Sequence, residues 1–128
     1  MIINFSTFNE SKSKFPNIKT FEVDGFTVLM GRDSASNDHL SINMANEDDL
    51  WFHSKGFPGS HIIIRVKDKL PTKEVIKEVA LLAAKNSKGV GNVPIVYCKA
   101  KFVKKKPGMN IGQVTVDYKN AEEIIVKI

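Results

Sequence analysis

Cysteine is almost missing from this 128-residue chain, Cys98 being the single one. An intramolecular disulfide is therefore impossible, and a thiolate zinc cage would need ligands from more than one chain. Neither a metal nor a cofactor is expected. No apolar run approaches the roughly 20 residues that cross a bilayer, and Met1-Ile2-Ile3-Asn4-Phe5-Ser6 lacks the basic, apolar and small-residue segments of a secretory leader. A soluble, cytoplasmic protein with no membrane partner is predicted. Gly-Lys-Ser/Thr phosphate loops and dinucleotide-binding glycine patterns are also missing, which argues against a nucleotide-driven machine. Acidic residues are in deficit, 14 against 19 Lys and Arg, giving a net charge of +5. That imbalance favours a polyanionic partner, although many basic enzymes share it.

What the chain does contain suits one hydrophobic core at this length. Residues 1–18 read as an arm, because Asn9 to Asn17 is polar and without periodicity, and 19–128 read as the domain. Phe21-Glu22-Val23 and Phe26 to Met30 flank Asp24-Gly25, a pair that takes the positive φ angles of a tight hairpin. Ser34 to Ala45 is weakly helical, with Ser34 or Ser36 as cap and Leu40 and Met44 on one face. Leu50 to His53 and His61 to Val66 predict strands, the second β-branched throughout and suited to burial on both faces. Thr72 caps the clearest helix, whose apolar positions from Val75 to Ala83 recur at helical spacing up to Gly89. Val93 to Val103, Gln113 to Tyr118 and Glu123 to Ile128 alternate as half-buried strands. The fold class predicted is α+β, a mostly antiparallel sheet packed against one main helix and a shorter one.

Three constellations bear on function. Gly31-Arg32-Asp33 leads into Asn37-Asp38, so a glycine allows a sharp exit from a strand and Arg32 reaches the sheet's rim, where it can meet phosphate or pair with Asp33 or Asp38. The segment Trp51-Phe52-His53-Ser54-Lys55-Gly56-Phe57-Pro58-Gly59-Ser60-His61 offers glycine amides and Ser60 to phosphate, and Trp51, Phe57, His53 or His61 as stacking surfaces. The plainer alternative is a tight turn with core aromatics, favoured for Trp51 and Phe52 singly. Lys99, Lys101, Lys104, Lys105 and Lys106 form the densest basic run; on one strand, Tyr97, Lys99 and Lys101 would share a face, with Cys98 inert on the other. A lysine-guarded sheet edge explains that run equally well. A hydrolase using His53, His61 and Asp38 has little support, since histidines eight apart across a turn match no established ligand spacing.

Taken in order, Gly31-Arg32-Asp33 with Asn37-Asp38, Trp51-Phe52-His53, Pro58-Gly59-Ser60-His61, Ala83-Ala84-Lys85-Asn86-Ser87, Val96-Tyr97 and Lys104-Lys105-Lys106-Pro107-Gly108 resemble the NFACT-R domain family. The resemblance spans about residues 20 to 118. It implies an RNA-binding domain of ribosome-associated quality-control factors, with tRNA or rRNA as ligand, the large ribosomal subunit as a possible partner and no catalysis by the domain itself. The long members carry further domains that cannot fit in 128 residues, so the resemblance implies a stand-alone member or an excised piece. The residues expected at the RNA surface are Arg32, Asp33, Asn37, Asp38, Trp51, His53, Lys55, Pro58, Gly59, Ser60, His61, Lys99, Lys101, Lys104, Lys105 and Lys106. An enzyme of RNA modification or processing and a protein-docking domain on a ribosomal partner are the rival readings.

Overall fold

The computed structural model describes residues 17–128. Of the expected arm, residues 1–16 lie outside the described residues, and Ile18 already belongs to the sheet. Strands β1 (Ile18–Val23) and β2 (Phe26–Gly31) form the expected hairpin. Asp24 and Gly25 turn it with φ of 50° and 85°, the left-handed pair that matches the natural twist of two strands.

Helix α1 (Ser34–Asp38) runs directly into a π-helical turn, His39–Met44. Its cap is Asp33 and neither of the serines: the carboxylate accepts from Ser36 N at 2.8 Å and from Asn17 Nδ2 at 2.6 Å. These bonds, that with Asn17 foremost, hold the Asp33 pKa below its usual value. Strands β3 (Leu50–Ser54) and β4 (Ile62–Ile64) follow, then helix α2 (Lys73–Lys85). Thr72 caps α2 by accepting from Val75 N at 3.2 Å. The helix ends at Lys85 with Asn86 as its C-cap, four residues short of the expected stop at Gly89.

Strand β5 is Asn92–Lys99, shorter than the alternation predicts. A 3-10 turn, Ala100–Phe102, breaks it where Ala100 N and Lys101 N donate to Asp49 O (2.8 Å) and Glu47 O (3.1 Å). The chain then crosses to the other face as β6 (Val103–Lys104), which pairs with β7 (Thr115–Val116) as a separate ribbon. Of the strand expected over 113–118, only those two residues form one. A second 3-10 turn, Tyr118–Asn120, leads to β8 (Glu122–Lys127).

The main sheet has the order β1-β2-β4-β3-β5-β8, antiparallel at every pairing. Val28, Met30, Phe52, Ile62, Ile64 and Ile95 pack on one face against Val75, Val79, Ala80, Ala83 and Ala84 of α2. On the other, Leu29, Trp51, Ile63, Val96 and Cys98 meet Leu40 of the π-helical turn together with Ala100 and Val103. The fold is thus the α+β layering expected, with β4 wholly buried between two cores. Each fully buried isoleucine there contributes about 1.5–3 kcal/mol relative to an exposed one. Cys98 is buried, and burial pushes its thiol up to about 11, which leaves it unreactive. Among the described residues no helix is long and apolar enough to cross a membrane.

Candidate nucleic-acid interface

A cleft of about 610 Å³ opens on the sheet face opposite α2. The buried Trp51 and His61 form its floor with His53 and Val96, and residues of the 55–59 bend and of the 110–116 segment, with Tyr118, Ser34 and Asn37, line it around them.

The floor is rigid because its polar groups satisfy one another. Trp51 Nε1 donates to Ser41 Oγ at 2.8 Å, and Ser41 Oγ lies 2.7 Å from His61 Nδ1. The serine hydroxyl thus links the indole to the imidazole, with the His61 tautomer setting which of Oγ and Nδ1 donates. The π-helical turn is what brings Ser41 there: Ala45 N donates to Leu40 O at 3.0 Å, five residues back, widening the helix by one residue. Trp51 is completely buried and His61 is 2% exposed. Neither has a face to offer a base, contrary to the expectation that they stack on RNA.

His53 and His61 do meet, edge to face with ring centroids 4.8 Å apart. Desolvation, then the neighbouring His53, pushes His61 down to about 3. His53 is also lowered by burial, against an opposing hydrogen bond with the Gly59 backbone. Both rings are therefore neutral near pH 7, and Asp38 pairs with Lys105 rather than bonding either ring. This arrangement supports a structural pair over an acid and a base.

Asn37 ties the two motifs around Arg32 and His61 together. Its Oδ1 accepts from His61 N at 3.0 Å, and its Nδ2 reaches Gly59 O at 3.4 Å. Gly31 is obligatory beside it, since a Cβ would stand 2.3 Å from Asn37 Oδ1. The bend itself is fastened to the end of α2: Ser60 N donates to Asn86 O (3.1 Å), Lys88 N donates to Pro58 O (2.9 Å), and a Cβ on Gly59 would stand 2.8 Å from Ser87 Cβ. Of the donors expected for phosphate here, the Ser60 amide is thus spent inside the protein. Gly59 serves close packing, and Gly56, at φ 84°, makes the turn.

The basic run divides. Lys99 lies opposite Leu50, at the end of β3 away from Ser54, and pairs with Asp48 at 3.5 Å. Alternation puts it with Tyr97 on the α2 side, while Lys101 sits in the 3-10 turn over Phe102. The expected strip of Tyr97, Lys99 and Lys101 does not form. Lys105 is engaged with three acceptors: Asp38 Oδ2 at 3.0 Å, Gln113 O at 2.9 Å and Asn110 O. Its three donors are used, so it staples the 110–113 loop to α1 and has no proton left for phosphate. Lys104, Lys106 and Arg32 are exposed and carry no ion pair among the described residues. Arg32 stands two residues before Ser34 of the cleft, and Lys104 and Lys106 flank the staple.

A family model described as the NFACT protein RNA binding domain matches residues 14–118. The chain belongs to this family. Among relatives of this NFACT-R chain, the Rqc2 homolog RqcH of Bacillus subtilis (strain 168) is 37% identical over 111 residues, covering 84% of this chain and 19% of that protein. The RqcH of Streptococcus suis is 41% identical over 96 residues, 72% of this chain and 17% of that protein. Coiled-coil domain-containing protein 25 of Mus musculus is 32% identical over 97 residues, 70% and 46% of the two chains. A solved structure, the C-terminal part of the fibronectin/fibrinogen-binding protein from Streptococcus suis, superposes with a TM-score of 0.77 at 33% identity, covering 91% of this chain and 46% of that one. The chain spans about a fifth of the RqcH proteins and under half of the coiled-coil protein.

Sequence reasoning passed over two residues of this surface. Tyr118 and Ile111 line the cleft although both are largely exposed. Tyr118 ends a segment read only as a strand and Ile111 sits in a loop, so no periodicity marked them as surface for a ligand.

Proposed function

We propose that this NFACT-R chain is an RNA-binding module for tRNA or ribosomal RNA that serves ribosome-associated quality control in the cytoplasm, with the large ribosomal subunit as a partner, and that it binds without catalysing. One observation carries the reading: Arg32, Lys104 and Lys106 are exposed cations with no ion pair among the described residues, close in sequence to Ser34 of the cleft and to the Lys105 staple. Lys55 lines the cleft, and the backbone of the exposed Lys88 is bonded to Pro58 of the bend. Such charges fix a phosphate backbone without reading sequence, and the family match supports RNA as the polymer. Lys55 is the weakest of them, since Glu123 lies 3.8 Å away.

The test is a salt series with labelled tRNA and rRNA fragments. Affinity should fall linearly in log–log form, and Arg32→Ala with Lys104→Ala and Lys106→Ala should reduce the slope by about 2–3. An unchanged slope overturns the proposal, and binding that survives both high salt and nuclease would point instead to docking on a protein.

A further inference from the structure

The cleft holds a feature that phosphate binding does not use. Among its lining residues, Ile111 is 70% exposed and Tyr118 is 56% exposed. Ile111 lies in the 110–113 loop and Tyr118 in the 3-10 turn before β8. Two large side chains with open apolar surface are thus brought to one cleft.

We infer that Ile111 and Tyr118 clamp one unstacked nucleobase at the mouth of this cleft, so that the protein selects single-stranded segments over duplex. The inference rests on the RNA-binding reading and names the element of RNA that the site takes.

Four observations converge on it. Lys55 Nζ lies over the Tyr118 ring, 5.2 Å from its centroid, and also pairs with Glu123 at 3.8 Å. The phenol is thereby oriented while more than half of its surface stays open for a planar partner, and stacking of this kind accepts any base. The loop bearing Ile111 is held in place by Lys105 through Asn110 O and Gln113 O, and Gln113 Oε1 accepts from Asn110 N at 3.2 Å. An aliphatic side chain on a fixed loop and an aromatic one thus line the same cleft, and apolar and aromatic side chains are what hold an extruded base. The volume, about 610 Å³, falls within the roughly 300–1,000 Å³ of pockets for ligands of nucleotide size. Finally, a paired base in an A-form helix presents no free face to such a cleft, whereas a loop base does.

The experiment uses one fluorescently labelled oligoribonucleotide of mixed sequence, as a single strand and annealed to its complement, with the complete chain. Wild type should prefer the single strand. Tyr118→Ala should weaken single-strand binding roughly ten-fold and leave duplex binding within about two-fold, Tyr118→Trp should retain the preference, and Ile111→Ala should lose part of it. A 2-aminopurine reporter in the strand should be quenched by wild type and not by Tyr118→Ala. Because Tyr118 is exposed, unchanged thermal unfolding of the variants separates lost contact from lost fold. If wild type binds RNA and Tyr118→Ala binds both forms as tightly, or weakens both equally, the clamp is wrong while the RNA-binding reading stands. If wild type binds neither form, both are wrong.

Discussion

The Lys105 ammonium lies 3.0 Å from the Asp38 carboxylate, with only 25% and 21% of the two side chains exposed. In a basic run that invites a reading as RNA surface, this one lysine faces inward and bolts a loop to helix α1.

Lys105→Met should consequently behave as a stability variant. Loss of its charged hydrogen bonds costs about 1–3 kcal/mol, measurable by urea unfolding. Amide exchange over residues 109–113 should accelerate, while the salt slope of RNA binding stays that of wild type.

Ser41→Ala removes the hinge of the buried polar chain and strands Trp51 Nε1 and His61 Nδ1 together. With about 1–3 kcal/mol for each unsatisfied group, the variant should lose several kcal/mol. Denaturant titration checks this, and a loss under about 1 kcal/mol would show that the network is not what holds the cleft floor.

The pH dependence follows from the same floor. His61 titrates near 3 when folded against an ordinary 6.5, and His53 is lowered too. Between those values the unfolded chain binds protons that the folded one refuses, so stability is full above about pH 6.5 and falls as the pH drops toward 3. Each histidine contributes a slope of at most about 1.4 kcal/mol per pH unit. Unfolding free energies measured across this range should show the decline, and His61→Phe should flatten it.

Gly31→Ala and Gly59→Ala place methyl groups 2.3 Å from Asn37 Oδ1 and 2.8 Å from Ser87 Cβ. Overpacking of this sort costs about 1–3 kcal/mol, visible as a lower Tm. Gly25→Ala meets no atom within 4 Å, yet its φ of 85° makes it strained as well.

Local chemistry made much of the fold legible. Asp24-Gly25 set the hairpin, Thr72 and the apolar spacing after it set α2, and the isoleucines of 62–64 marked the strand between two cores. The break after Lys99 was not legible, because apolar alternation continues through Ala100 and Phe102 while the cause, bonding of two amides to the 47–49 turn, is distant in sequence. The same distance hid the site. Nothing local separates Lys105 from Lys104 and Lys106, and the burial of Trp51 depends on Ser41 and on a π-helical widening that composition does not announce.

The join between Gly59 and Ser87 gives α2 a hand in what happens across the sheet. The bend that walls the cleft is hydrogen-bonded to residues 86–88, directly after the helix, so the cleft's edge and the end of α2 are one fastened piece. Substitutions at Asn86 or Ser87, which do not line the cleft, would then change its shape from behind.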